Sequence, residues 1–165
     1  KMFKDAQTAT RDFSEFEKII LSTHPTNSTR ININIGIAAP SVFLSELSKN
    51  TMNVVQLFAQ NAHWENEGAF TGEISPPMLK SVGITGSLVG HSERRKFFGE
   101  TNEATGKRVG ALLRLNMSAV LCIGESLQER EEGQLEKVLS AQITEALQAT
   151  ALKNENEFLG KKNKT

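Results

Sequence analysis

The residues best suited to chemistry lie in one stretch, Ser87 to Gly99, SLVGHSERRKFFG. Ser87, Leu88 and Val89 have strand character, Gly90 ends the run, and His91 follows at once. Ser92 and Glu93 then stand where a helix can start. Glycine lets the backbone turn sharply. A helix N-terminus carries unpaired N–H groups, one of which can bond a ring nitrogen of His91 and leave the other nitrogen facing a ligand. On spacing alone the plainer reading is a turn histidine with a solvated ERRK charge run behind it. Gln60-Asn61 and Glu125 also sit in polar segments just after apolar runs. The elements that would bring these positions together therefore decide between the two readings.

The chain has 165 residues, enough for one domain with a sizeable core. Lys plus Arg and Asp plus Glu number 19 each, so the net charge is zero. That argues against nucleic acid or an anionic membrane surface as the main partner. No apolar run is long enough to span a bilayer, and the opening KMFKDAQTAT has no signal-peptide pattern. The single cysteine, Cys122, lies in an apolar run, so there is no disulfide framework and a reducing compartment fits. A chain that begins at Lys1 without an initiator methionine reads as trimmed or incomplete.

Phe13, Phe16, Ile19 and Ile20 recur at helical spacing between Asp5 and Ser22, which predicts an amphipathic helix. His24-Pro25 breaks it, and Thr26 to Arg30 reads as a polar loop with His24 in it. Ile31 to Ala39 and Asn53 to Ala59 read as strands, with a short helix over Ser41 to Leu47 between them. Gln60 to Gly72, QNAHWENEGAFTG, is a long polar loop with Trp64 and Phe70 as apolar knobs, and loops of that length in compact domains are usually functional. Ser75 followed by Pro76-Pro77-Met78 is a helix start.

Thr85 to Val89 is the third strand, Thr101 to Leu115 a helix with Val109, Leu112 and Leu113 on one face, and Ser118 to Gly124 the fourth strand. Ser126 and Glu129 form a capping box ahead of a helix whose Leu135, Val138, Leu139, Ile143, Ala146 and Leu147 read as a core-facing stripe. The tail from Lys153 to Thr165 reads as a loop or a fray. Apolar strands alternating with helices imply a parallel sheet covered on both faces. Gln60-Asn61, His91 and Glu125 then all follow strand ends, the face at which α/β barrels and open α/β sheets bind ligands.

Three blocks now stand in order, each after a predicted strand: AQNAHWENEGAFTGEIS (Ala59 to Ser75), VGHSERRKFFGET (Val89 to Thr101) and LCIGESLQERE (Leu121 to Glu131). They closely resemble the triosephosphate isomerase family. The resemblance runs from about Asn34 to Glu131 and more weakly through both ends. It implies a partial (β/α)₈ barrel, a single incomplete domain over residues 1–165 with strands two to five and their helices. The complete family fold is typically of roughly 250 residues. Lys1-Met2-Phe3 resembles the tail of the family's first-strand block. The sixth strand, which carries the family's catalytic glutamate and lid, and the glycine-rich phosphate loops after the seventh and eighth strands, have no counterpart in these 165 residues.

The resemblance also implies roles. The reaction would interconvert dihydroxyacetone phosphate and glyceraldehyde 3-phosphate, a cytoplasmic step of glycolysis and gluconeogenesis. His91 matches the electrophile, and the family is itself the familiar example of a histidine kept neutral by a helix N-terminus and paired with a glutamate base. Lys1 matches the family's active-site lysine, which binds substrate together with His91, and Glu93 the carboxylate beside them, so that the resemblance makes His91, Lys1 and Glu93 the catalytic set. Ser92, Gln60, Asn61 and Glu125 resemble supporting residues. The loop from Asn61 to Ile74 resembles a dimer clasp, with Phe70, Thr71, Glu73 and Arg94 at the homodimer interface. His63 and Trp64 then belong to the clasp, since a lone histidine makes a poor metal site. Cys122 is a packed thiol with no base beside it. No metal or organic cofactor is implied. The chain as written, without the family's base, is expected to be inactive. Two alternatives stand beside this reading: a non-catalytic fragment or paralogue acting through the clasp loop, and another sugar-phosphate enzyme on the same barrel.

Overall fold

A computed structural model of the chain describes residues 1–23 and 34–162, the last twelve of these as helix backbone only. The expected loop over Thr26 to Arg30, His24 within it, and the first residues of the strand expected from Ile31 lie outside the described residues. The chain runs α1 (Ala6–Thr23), β1 (Gly36–Ala39), α2 (Ser41–Asn50), β2 (Gln56–Ala59), α3 (Pro76–Ser81), β3 (Gly86–Val89), α4 (Ser92–Phe98), α5 (Asn102–Arg114), β4 (Ser118–Leu121), α6 (Leu127–Glu131) and α7 (Leu135–Lys162). The four strands form one sheet in the order β1-β2-β3-β4, with every pairing parallel. This is the α/β arrangement of a partial barrel, not closed on itself. Each strand end therefore delivers its following loop to the same end of the sheet.

Local chemistry sets most element starts. Ser75 caps α3, with Pro76 and Pro77 in the first turn. Thr101 caps α5 through the Ala104 amide, and Ser126 and Glu129 close the expected capping box at α6. Gly99, in the left-handed conformation (φ 65°), ends α4.

The core gathers Leu44 and Leu47 of α2, Leu57 and Ala59 of β2, Leu79 of α3, Val89 of β3, and Val109 and Leu112 of α5. On one face of the sheet the Phe58 ring lies where a side chain on Gly36 or Gly86 would stand, 2.8 and 2.6 Å from the Cβ positions. Glu17 of α1 is fully buried; its carboxylate accepts from Thr51 Oγ1 at 2.8 Å and from the Met52 amide at 2.9 Å, which fixes α1 against the chain entering β2.

Two expectations about packing need correction. Leu113 is 52% exposed, and of the α7 stripe Leu135, Ile143 and Leu147 are exposed too. Of the expected stripe Ala146 is buried and Val138 and Leu139 are half-buried, and the buried face of α7 among its described side chains is made by Ala146 with Gln142. It approaches α5 at Gly106, where a Cβ would strike the Ala146 carbonyl and come within 2.6 Å of Ala149 Cβ. Small residues, not large ones, bring these two helices together. The tail expected to be irregular from Lys153 continues α7 to Lys162. Gly106→Ala should therefore destabilise the fold by about 1–3 kcal/mol through overpacking, read as a fall in the urea midpoint; an unchanged midpoint would show that α7 does not seat so closely on α5.

Candidate active site

His91 stands directly after β3. Gly90 turns the chain with φ 70°, and a side chain there would meet Thr105 Cγ2 at 2.8 Å. His91 then becomes the N-cap of α4. Its Nδ1 accepts the Glu93 amide proton at 3.2 Å. The ring thus does for this helix what a serine or aspartate oxygen does elsewhere. A nitrogen that accepts carries no proton, so the ring hydrogen sits on Nε2, the atom left for a ligand.

Two arginines of α4 steady this turn. Arg95 donates from Nε to the Gly90 carbonyl at 2.8 Å and from Nη1 to Asn102 Oδ1 at 2.5 Å, so the start of α5 is tied to the His91 turn. Arg94 donates to Glu100 at 2.5 Å and lies over the Phe98 ring at 4.8 Å. The ERRK segment is not simply a solvated run: Arg94 and Arg95 are half-buried.

Lys1 reaches across to pair with Glu93, which also stands 3.7 Å from His91 Nδ1. The sequence separates Lys1 and Glu93 by 92 residues, and the fold joins them. The hydrogen bond from Lys1 holds the Glu93 carboxyl below its ordinary range, with the charge of Lys1 adding to it. A cavity of about 420 Å³ opens beside the histidine, lined by Gly90, His91, Ser92, Arg95, Cys122 and Gly124. Burial pushes the Cys122 thiol up, which disfavours a thiolate nucleophile. A second cavity of about 320 Å³ lies among Phe13, Phe16 and Phe43, with Lys1 and Lys4 on its lining; it does not include His91.

The other expected positions are spread around this centre. Gln60 donates to the Ala38 carbonyl at 3.1 Å, joining the ends of β1 and β2 rather than touching Lys1. Asn61 keeps a buried Oδ1 with no partner among the described residues. Glu125 is held by Arg130 at 2.5 Å, and its carboxyl is kept low by its own backbone N–H first and Arg130 second. The long loop is built around a buried His63, whose ring stacks on Trp64 (4.3 Å) and meets Phe70 at a tilt (4.4 Å), leaving Phe70, Thr71 and Glu73 exposed. Two residues that the sequence reading did not single out, Glu100 and Arg108, form a buried ion pair at 3.3 Å.

A profile of the triosephosphate isomerase family matches residues 1–159. The chain belongs to that family. It is 39% identical over 155 residues to a triosephosphate isomerase of Synechococcus sp. (strain JA-2-3B'a(2-13)), covering 93% of this chain and 61% of that protein. It is 38% identical over 147 residues to that of Malacoplasma penetrans (strain HF-2), covering 89% and 56%. Over a shorter 96 residues it is 51% identical to that of Synechococcus sp. (strain JA-3-3Ab), covering 58% and 38%. The chain thus spans about two fifths to three fifths of the length of these curated relatives. Family membership settles the α/β barrel class, and no described helix is long and apolar enough to cross a membrane.

The Lys1–Glu93 pair has a defined pH dependence. A carboxyl lowered by folding contributes stability above its unfolded value and loses it as pH falls through the folded value. The tether should therefore hold at neutral pH and release on acidification. Lys1→Met should move the Glu93 carboxyl titration, followed by ¹³C NMR, back up toward the ordinary range; an unmoved titration would mean that Lys1 does not hold Glu93.

Proposed function

We propose that this chain carries the electrophilic side of a site that interconverts dihydroxyacetone phosphate and glyceraldehyde 3-phosphate, in the cytoplasm and as a homodimer. The observation that carries this reading is His91 at a strand end, with Nδ1 engaged by the Glu93 amide, no partner on Nε2 among the described residues, and Lys1 paired with the Glu93 carboxylate beside it. The reaction takes a proton from the carbon alpha to the carbonyl and returns it to the neighbouring carbon. The enediolate between those steps gathers charge on oxygen. The Nε2–H of His91 donates to that oxygen and passes a proton between the two substrate oxygens. An ammonium has three donors, so Lys1 can hold Glu93 and still neutralise substrate charge. Ser92 and Gln60 support the two loops that meet at the site, with Asn61 beside Gln60, and Glu125 supports the loop that closes over it.

Neither nearby carboxylate is a free base: Glu93 is taken by Lys1 and Glu125 by Arg130. The base in this reading is the glutamate that the family carries after its sixth strand. The exposed end of the 60–75 loop, with Phe70 and Thr71, reaches toward the partner's site as a clasp, and Glu73 pairs with the partner's copy of Arg94.

A chain extended by the family's first and sixth-to-eighth strands should isomerise triose phosphate, and His91→Asn in it should lower turnover by roughly 10²–10⁴-fold with the fold intact. The 165-residue chain assayed alone should give only background. Robust turnover from a mass-verified 165-residue chain would put the base within it. A silent complete chain would favour the non-catalytic reading. The complete chain should also sediment as a dimer that deletion of residues 65–72 disrupts; a monomer indifferent to that deletion would remove the clasp from the account.

A further inference from the structure

Arg108 of α5 is 6% exposed and makes contacts in three directions. Its Nε donates to the Ala62 carbonyl at 3.0 Å, at the root of the long loop. Its Nη2 meets Glu100 Oε1 at 3.3 Å. Its guanidinium lies over the Trp64 ring, 4.9 Å from the centroid. The same Glu100 oxygen accepts from Arg94 Nε, and the Arg94 amide closes the first turn of α4 on the His91 carbonyl at 2.8 Å. A continuous set of contacts thus runs from Ala62 and Trp64, through Arg108 and Glu100, to Arg94 and His91.

This arrangement is costly as a stabilising device. Arg108 Nη1 and Glu100 Oε2 are buried with no partner among the described residues, and a buried ion pair adds little net stability to a fold. What it does supply is geometry. A guanidinium is a rigid fork with donors at fixed angles, so it can hold a backbone carbonyl and a carboxylate in one relation to each other.

We infer that Arg108 is the positioning residue that ties the 60–75 loop to the His91 turn, so that the seating of the loop and the orientation of the histidine are set together. This rests on the reading of His91 as the reacting group and of the loop as the clasp, but the coupling itself can be read without turnover or dimerisation. The chain holds a single tryptophan, Trp64, within the set.

The experiment compares Arg108→Met, Arg108→Lys and Glu100→Gln by amide hydrogen exchange, Trp64 emission and the ¹⁵N and ¹H resonances of the His91 ring. Arg108→Met should speed exchange of amides 62–75 by roughly tenfold, the factor that one lost hydrogen bond carries. It should also shift Trp64 emission and move the His91 ring resonances. Arg108→Lys keeps a charge for Glu100 but has no second donor at the angle of Ala62, so it should restore the His91 resonances and leave the loop fast. Glu100→Gln should do the reverse, moving His91 while the loop stays protected through the Ala62 bond. A Met variant that loosens the loop and leaves His91 in place would overturn the inference. So would exchange accelerated evenly along the whole chain, or a Lys variant no different from Met. Loss of the isomerase or dimer reading in the assays above would leave these couplings measurable.

Discussion

The Glu93 amide proton given to His91 Nδ1 is the contact on which the rest of the site depends. It satisfies one of the orphan donors of α4, and it fixes which ring nitrogen is left to act. It requires His91 at the N-cap, which requires the chain to leave β3 in one sharp step. Gly90 makes that step at φ 70°, with Thr105 Cγ2 and Arg95 Nη2 already where a side chain would go. The turn is then closed by Arg95 on the Gly90 carbonyl and by Arg94 through Glu100.

The sheet supplies the second constraint. Parallel strands need a crossover between each pair, so every βα turn emerges at the same end. That is why Gln60 after β2, His91 after β3 and Glu125 after β4 share a face although more than sixty residues separate the first from the last. Gly36 and Gly86, on the strands flanking β2, leave room for the Phe58 ring to lie over them on one face of the sheet. The long loop after β2 gathers its rings, with Trp64 and Phe70 against His63 and Trp64 also under the Arg108 guanidinium, which gives a loop of low regularity a defined shape.

What the sequence revealed and what it hid divide along a physical line. Features decided by near neighbours in the chain were legible: the helix starts at Ser75 and Ser126, the helix read from Asp5 to Ser22 and found over Ala6–Thr23, and the histidine at the mouth of α4. Features decided between distant segments were not. The apolar stripe read along α7 includes Ala146, which is buried, but also Leu135, Ile143 and Leu147, which are exposed; the approach to α5 is made by Ala146 and Ala149 against Gly106, where the smallness of the residues is what permits it. Arg108, in α5, and Glu100, in the link between α4 and α5, carry no signal of their own, because nothing local says that a carbonyl 46 residues away will meet that guanidinium. Glu17 is the same case: an acid in an amphipathic helix, buried because Thr51 and Met52 supply its donors. The Lys1–Glu93 pair is suggested in the sequence only through family resemblance, since 92 residues separate the two and nothing local points one at the other.

The start of α4 fixes His91 with Nδ1 as acceptor, which leaves Nε2 as the donor. The most direct measurement is the ¹⁵N shift and long-range ¹H–¹⁵N coupling pattern of the His91 ring in the folded protein, which distinguishes the two neutral tautomers. The account predicts a protonated Nε2 and an acceptor-type Nδ1, with that pattern lost when Glu93 is replaced by proline and its amide removed. A ring that carries its proton on Nδ1, or a tautomer indifferent to the Glu93 amide, would contradict it.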